Sequence, residues 1–252
     1  MGRMSAELTV AAVQYESSLG GIAANIDGHV RALEDADGHG ARVAVFPELS
    51  LIGYDLSRLD DEGYWLTNPS AQLAEIQAAC ENMGIVAVVG AAVREPDGTP
   101  RLGSVLIRPG TVPLLAPKTH IHGEEQHYFE PGSGPTLVDV DGWSIALAVC
   151  FDVAQPSHAA EAAAAGADLY AASAVYVVGE ERRLDLHFGS RAMDSRFFAL
   201  LANAAGRTSL GPSCGGSGLW GPDGHRMVHA RGTGPEVVSA LLFRSALERY
   251  RR

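Results

Sequence analysis

The sequence predicts a mixed α/β fold, and three observations point to it. Apolar stretches of strand length alternate with amphipathic or alanine-rich stretches along the whole chain, which is typical of a sheet covered by helices. With 252 residues, 46% of them hydrophobic, the chain can bury a large core. No internal repeat, low-complexity tract or Pro/Ser-rich linker divides the sequence. We therefore expect a single domain over residues 1–252.

The first half of the chain alternates between the periodicities of strands and helices. The predicted strands lie at 8–15, 42–46 and 85–93, and the predicted helices at about 22–37 and 70–83. The turn pair Pro109-Gly110 separates two further strands, 102–109 and 111–118, and predicts a hairpin.

The second half continues the alternation. The predicted strands lie at 143–150 and 168–177 and near 217–220 and 236–242. The predicted helices lie at 157–167, which is rich in alanine, and at 191–203. A glycine-rich stretch at 215–225 has neither a GK[ST] ending nor a GxGxxG pattern, so we interpret it as a turn and not as a phosphate site.

Charge and cysteine content restrict the partners and the cellular setting. The formal net charge of −11 argues against nucleic acids and acidic membrane surfaces as partners, because both are themselves negative. Three scattered cysteines do not suggest a disulfide framework, so we expect a reducing, cytoplasmic setting. The apolar run from Leu8 to Val13 is too short for a leader or a membrane span. A small molecule is the expected ligand.

Three residues with complementary chemistry follow predicted strands. Cys150 ends an apolar run and precedes a predicted helix, so it lies at a strand-to-helix turn. Glu48 follows the strand that Pro47 ends, and Lys118 ends the second strand of the hairpin. Taken one by one, residues in such positions are more often a buried structural cysteine, a solvated glutamate and a surface lysine.

Together the three residues form a possible catalytic site. If their strands are parallel neighbours, the side chains converge at one edge of a sheet. A thiol needs a base to remove its proton, and its attack on a carbonyl or nitrile creates negative charge that a cation stabilises. Glu48 supplies the base and Lys118 supplies the cation.

Four short motifs resemble the nitrilase superfamily of carbon-nitrogen hydrolases, in that family's order and spacing. They are VAAVQ near the N-terminus, FPEL around Glu48, PKTHI around Lys118 and VCFD around Cys150. Further likeness appears in RAMDSR at 191–196 and in the glycine-rich stretch 215–225. The resemblance covers almost the whole chain. It implies an α-β-β-α four-layer sandwich that carries a Glu-Lys-Cys triad.

The resemblance also implies the reaction and the remaining site residues. Cys150 would attack a small amide-type substrate and form a thioester, with the oxyanion held by Lys118 and the backbone N–H of Phe151. The family's second glutamate corresponds to Glu125, with Glu124 as the competing residue. No cofactor or metal is required, and family members commonly form homodimers or larger homo-oligomers.

One departure from the family pattern concerns the segment after the nucleophile. The family typically has Phe-Pro-Glu there, whereas this chain has Gln155-Pro156-Ser157. The usual acidic group is missing, which leaves open the substrate and the bracing of the nucleophile loop. His158, next to this gap, is either a pocket residue or a residue at a helix N-terminus.

Alternatives remain within and outside this enzyme class. The resemblance leaves N-carbamoyl amine hydrolysis, nitrile hydrolysis and acyl transfer to an amine open on the same triad, and the sequence does not choose between these reactions and amide hydrolysis. His120, His122 and His127, with Glu125 or Asp152, offer nitrogen and oxygen ligands for a metal-dependent hydrolase, although no HExxH motif is present. A non-catalytic binding protein on the same fold is a third alternative, which the intact triad disfavours.

Overall fold

Strands and helices alternate through residues 5–251, the part of the chain that the computed structural model describes. The strands are β1 Glu7–Gln14, β2 Val43–Val45, β3 Val86–Arg94, β4 Pro100–Ile107, β5 Leu114–Pro117, β6 Thr136–Val140, β7 Trp143–Val149, β8 Leu169–Ala174, β9 Phe198–Asn203, β10 Arg207–Thr208, β11 Gly211–Pro212, β12 Gly218–Trp220, β13 Arg226–His229 and β14 Glu236–Phe243. The α-helices are α1 Ile26–Gly38, α2 Pro69–Gln72, α3 Ala74–Met83, α4 Phe151–Ala154, α5 Pro156–Ala164, α6 Glu181–Ser195 and α7 Arg244–Tyr250.

The strands form two six-stranded sheets and a short ribbon of β10 and β11. The first sheet has the order β14-β1-β2-β3-β4-β5, and the second has the order β13-β12-β9-β8-β7-β6. Three adjacent strands are parallel in each sheet, β1-β2-β3 and β7-β8-β9, while the flanking pairs are antiparallel. Parallel strands bring their carboxyl ends to one edge, which is where open α/β sheets place their ligands.

Apolar clusters fill the spaces between four layers. The inner cluster joins the two sheets and includes Val43, Val86, Ile145 and Leu169, all buried. One outer cluster packs α1 and α3 against the first sheet, and another packs α5 and α6 against the second. Because both faces of each sheet are covered, the central strands are apolar on both sides. The predicted α-β-β-α sandwich is confirmed.

One predicted helix is replaced in part by a strand. The helix predicted at 191–203 is wrong, because α6 ends at Ser195 and Arg196 takes a left-handed conformation with φ of 57°. The following residues form β9, which pairs in parallel with β8 and is buried along its whole length. A strand buried on both faces has no alternation of polar and apolar residues, so its sequence is not distinguishable from a buried helix by periodicity.

The sheet edges contain two strands that the sequence pattern does not indicate, β6 and β13. The predicted hairpin is confirmed, since β4 and β5 pair antiparallel from Gly103↔Pro117 to Leu106↔Leu114. Among the helices of residues 5–251, none has both the length and the apolar character needed to cross a bilayer.

Candidate active site

Cys150 lies at the turn between β7 and α4, as predicted. Its backbone has φ of 44° and ψ of −96°, a conformation that residues with a side chain rarely adopt. Two backbone hydrogen bonds fix this turn, from Cys150 N to Ser173 O at 2.9 Å and from Val153 N to Cys150 O at 3.0 Å. Strain of this kind collects at functional sites, where the surrounding structure over-determines the conformation.

The loop that carries Glu48 lies directly on β3, and Gly90 makes this approach possible. A Cβ atom at Gly90 would collide with the backbone of Pro47 and Leu49 and would lie 2.8 Å from the Glu48 carbonyl carbon. Gly90 also donates its N–H to Ser50 Oγ at 3.0 Å and accepts from Leu51 N at 3.0 Å. These bonds hold the loop just after Glu48, and the bond from Phe46 N to Val88 O at 2.8 Å holds it just before.

Lys118 lies at the centre of a buried ion cluster. Its Nζ is 2.7 Å from Glu48 Oε1 and 2.7 and 2.8 Å from the two carboxylate oxygens of Glu125. All three side chains are almost completely buried. Buried charges are stable only when paired and hydrogen-bonded, so this geometry fixes each group in place.

Glu125 belongs to a 3₁₀ turn, Gly123–His127, and is the acid of the Glu-Glu pair that faces inward. Besides Lys118, its carboxylate accepts from the backbone N–H of His122 at 3.0 Å. Glu124 is exposed and lines the cavity beside the site instead. The structure therefore brings Glu125, and not Glu124, to Lys118.

Tyr54 is a site residue that the sequence pattern does not indicate. Its hydroxyl donates to Glu125 Oε1 at 2.7 Å, and its backbone oxygen accepts from Ser209 N and Oγ at 3.1 and 2.7 Å. Nothing in the spacing of Tyr54 shows that the loop after Glu48 folds back over the lysine. An aromatic ring with a polar tip close to a candidate acid is the one signal that the sequence offers.

The three predicted strand ends converge, although not as parallel neighbours at the edge of one sheet. Their strands are not neighbours, because β3 and β4 lie between β2 and β5 in the first sheet and β7 belongs to the second sheet. The side chains meet because the two sheets stack face to face and their strand ends open toward the same region. Convergence is thus a property of the sandwich and not of one sheet edge.

Burial controls the protonation of the cluster. Burial raises the pKa of Glu48 to about 7, and the Lys118 charge offsets only part of that rise. Burial also raises the pKa of the Cys150 thiol above its ordinary value, again partly offset by Lys118. For Lys118, burial alone would lower the pKa, but the charges of Glu48, Cys150 and Glu125 raise it instead. Near neutral pH the cluster therefore holds an ammonium, a protonated thiol and a glutamate whose pKa is close to the surrounding pH.

A cavity of about 670 Å³ leads from the surface to Cys150. Its walls include Tyr54, His122, Phe151, Tyr176 and Arg183. The Cys150 Sγ lies 3.9 Å from the backbone oxygen of Val175. This volume suits a small organic molecule bound with one group at the thiol.

The histidines proposed as metal ligands have other roles or point elsewhere. The His122 ring stacks on Phe151 with 4.0 Å between ring centroids, and His120 Nδ1 lies 2.8 Å from Asp152 Oδ1. His127 is exposed, and Glu125 is held by Lys118. Within residues 5–251, no group of three His, Cys, Asp or Glu side chains is arranged to hold a metal ion.

The segment that departs from the family pattern begins α5. Ser157 is exposed there, while His158 is buried, with Nδ1 2.8 Å from the Tyr170 hydroxyl. The His158 Nε2 lies 3.9 Å from Asp152 Oδ2. His158 is therefore a buried residue behind the nucleophile turn and does not line the cavity.

Comparison with known proteins identifies the family. The sequence profile of the carbon-nitrogen hydrolase family matches residues 9–252. The protein described as "Hydrolase in pqqF 5'region" from Pseudomonas protegens is 30% identical over 208 residues, which cover 80% of this chain and 71% of the relative.

Two solved structures share the fold. Nit3 of Saccharomyces cerevisiae, a member of branch 10 of the nitrilase superfamily, superposes with a TM-score of 0.89 at 21% identity, over 98% of this chain and 94% of Nit3. A double mutant of the amidase from Nesterenkonia sp. AN1, in complex with acrylamide, superposes with a TM-score of 0.85 at 22% identity, over 98% and 95% of the two chains. From the match of the family profile and the shared sandwich, we conclude that the chain belongs to the carbon-nitrogen hydrolase family.

Proposed function

We propose that the protein hydrolyses the carbon-nitrogen bond of a small amide through a thioester formed on Cys150. The observation that carries this proposal is the position of Lys118, whose ammonium is held between Glu48 and Glu125 next to a thiol that opens onto a cavity. The fold is shared with a protein called an amidase, which agrees with an amide substrate.

The first half of the reaction begins at the thiol. Glu48 takes the proton of Cys150 while Sγ forms a bond to the carbonyl carbon of the substrate. The oxygen gains negative charge, which Lys118 and the backbone N–H of Phe151 stabilise. Phe151 is the first residue of α4, so its N–H has no acceptor within the helix. The carbon-nitrogen bond then breaks, and the leaving nitrogen takes the proton from Glu48.

The second half of the reaction repeats these roles with water. Glu48, again ionised, removes a proton from a water molecule that attacks the thioester carbon. The carbon-sulfur bond breaks, the acid product leaves, and the thiol recovers its proton from Glu48. Glu48 Oε2 is buried without a hydrogen-bond partner among the described residues, so this oxygen is free to accept the proton in both halves.

Protonation states near neutral pH fit these roles. A base that accepts and returns protons works best when its pKa is close to the working pH, and burial brings the pKa of Glu48 to about 7. The raised pKa of Lys118 keeps the oxyanion partner charged throughout. Glu125 accepts a hydrogen bond from the Lys118 ammonium, and Tyr54 donates one to Glu125. Together they keep the ammonium in place.

An ammonia-release screen tests the proposal. Small amides, N-carbamoyl amines and nitriles are offered in parallel to the wild type, to Cys150→Ala and to Cys80→Ala, whose cysteine is buried in the outer cluster of the first sheet. We expect release from amides by the wild type and Cys80→Ala, and none by Cys150→Ala. Turnover of only carbamoyl amines or only nitriles would show that the substrate is of that class and not an amide. Full turnover by Cys150→Ala would show that Cys150 is not the nucleophile.

A further inference from the structure

Asp152 connects the nucleophile turn to the strand end that carries the lysine. The side chain is buried, at 1% exposure. Its Oδ2 accepts from the backbone N–H of Val149 at 3.0 Å and of Thr119 at 3.3 Å. Its Oδ1 accepts from the backbone N–H of His120 at 2.8 Å and lies 2.8 Å from the His120 ring nitrogen Nδ1.

These donors belong to two different sheets. Val149 is the last residue of β7 and precedes Cys150, whereas Thr119 and His120 follow Lys118 at the end of β5. One carboxylate therefore bonds to the residue before the nucleophile and to the two residues after the lysine. No backbone hydrogen bond of a sheet makes this connection, because β5 and β7 are not paired.

The partners of the Asp152 carboxylate are mainly backbone N–H groups and not cationic side chains. No lysine or arginine forms an ion pair with it among residues 5–251; the nearby ionisable groups are His120 and His158. A buried carboxylate is costly to leave without donors, and backbone N–H groups are the donors that it receives here.

We propose that Asp152 is a positioning residue that sets the distance and orientation of Cys150 relative to Lys118. This inference rests on the function proposed above, in which Cys150 is the nucleophile and Lys118 stabilises the oxyanion. The strained backbone of Cys150 keeps its conformation only if its neighbours are fixed, and Asp152 fixes Val149 on one side of it. Misplacing reacting groups by about 1 Å costs roughly 10²-fold in rate.

The test compares Asp152→Asn with Asp168→Asn. Asparagine keeps the shape of Asp152 but turns an NH₂ group toward N–H donors, which breaks at least one bond. Asp168 is a matched control, because it is also buried and accepts from a backbone N–H, of Ser144, and from Arg244, away from the cavity. We expect Asp152→Asn to lower kcat by roughly 10²-fold with little change in KM, whereas Asp168→Asn lowers the melting temperature but not kcat.

A second readout needs no substrate. The rate of Cys150 alkylation by iodoacetamide at pH 7, followed by peptide mapping, should fall in Asp152→Asn and stay unchanged in Asp168→Asn. The inference is therefore judged separately from amide hydrolysis, which the ammonia screen tests. Unchanged kcat and unchanged alkylation in a folded Asp152→Asn protein would overturn it.

His120→Ala is a milder variant that tests the positioning role if Asp152→Asn does not fold. His120 is only half-buried, and His120→Ala removes one contact to Asp152 while the carboxylate stays. We expect a loss in kcat of about tenfold, smaller than for Asp152→Asn, with slower alkylation of Cys150. Wild-type kcat and alkylation in His120→Ala would contradict the positioning role.

Discussion

Lys118 has two carboxylate partners, and the two partners have different tasks. Glu48 bonds to it through one oxygen, and the other oxygen has no hydrogen-bond partner within residues 5–251. Glu125 bonds through both oxygens and is itself held by Tyr54 and the His122 backbone. The fully bonded acid is fixed as a counter-ion. The acid with the free oxygen is the one able to move protons.

Substitution of the charged partners should therefore lower turnover by different amounts. Glu48→Gln removes the base and should cost roughly 10²–10⁴-fold in kcat, and Lys118→Ala removes an oxyanion contact worth roughly 10²–10³-fold. The double variant should lose less than the product of the two, because the residues act as a unit. Steady-state kinetics on variants shown to be folded by circular dichroism measures this. Near wild-type turnover in either variant would show that the residue is wrongly assigned.

The neighbouring acids Glu124 and Glu125 offer a matched pair. Glu125→Gln should strongly reduce kcat, because it leaves the buried Lys118 with one carboxylate fewer and weakens the bond from Tyr54. Glu124→Gln changes an exposed residue at the cavity and should keep most of the turnover of a neutral amide. The opposite ranking in the same assay would favour Glu124 as the family's second glutamate.

The pH dependence follows from the raised pKa of Glu48. Only the ionised carboxylate accepts the thiol proton, so activity is present above its pKa and is lost as pH falls through it. With a pKa of about 7, kcat/KM should fall about tenfold for each pH unit well below 7. The measurement is a kcat/KM profile over the range in which circular dichroism shows folded protein. A flat profile down to pH 5 would contradict a raised pKa of the Glu48 carboxyl.

At the scale of elements, short contacts between loops and strands place the site residues. The loop after β2 rests on β3 at Gly90, and the turn after β7 is tied to the end of β5 through Asp152. Neither contact lies within one element. We expect both contacts to be needed for Glu48, Lys118 and Cys150 to meet.

Gly90→Ala tests the first of these contacts. The added Cβ would collide with the backbone beside Glu48, so we expect a loss of about 1–3 kcal/mol in the free energy of unfolding, together with a fall in kcat. Gly38→Ala is the control, since a Cβ there meets nothing within 4 Å, and it should leave kcat unchanged. Urea unfolding and kinetics measure both effects. A stable, fully active Gly90→Ala protein would mean that the loop does not need this approach.

The sequence predicts the strand ends well and their spatial relation less well. Cys150, Glu48 and Lys118 are identified because each follows an apolar run that a polar or turn residue stops. The strand β9 is mistaken for a helix, because a doubly buried strand and a buried helix have similar composition. The contacts of Tyr54 and Asp152 depend on how two sheets stack, and local sequence patterns carry no information on that stacking.

At the scale of the whole molecule, charge bears on the choice of substrate. The chain has a net charge of −11. The acidic residues Asp55, Glu124 and Glu180 line the cavity. The basic residue Arg183 lines it as well, but Arg183 already pairs with Glu180 at 2.8 Å. Negative potential in a cleft repels anions. Amides that carry a carboxylate should thus be poorer substrates than neutral or cationic amides of equal length.

A series of such amides measures this effect. We expect kcat/KM to increase from the anionic to the neutral to the cationic member, and the differences to shrink at high salt, since salt screens exposed charges. Glu124→Gln should also reduce the differences in kcat/KM between the anionic, neutral and cationic amides. A preference for the anionic amide that Arg183→Gln abolishes would instead show that Arg183 binds a carboxylate.

The expected homodimer or larger homo-oligomer stays a prediction, which light scattering of the intact protein checks.

The most direct measurement is intact-protein mass spectrometry of the enzyme quenched within milliseconds of mixing with a good amide substrate. A thioester intermediate predicts a mass increase equal to the acyl group, located on Cys150 by peptide mapping and absent from Cys150→Ala. Added hydroxylamine should compete with water for that acyl group and yield the hydroxamate in proportion to its concentration. If turnover proceeds with no acylated protein at any quench time, and only the acid forms at every hydroxylamine concentration, the covalent role of Cys150 is contradicted.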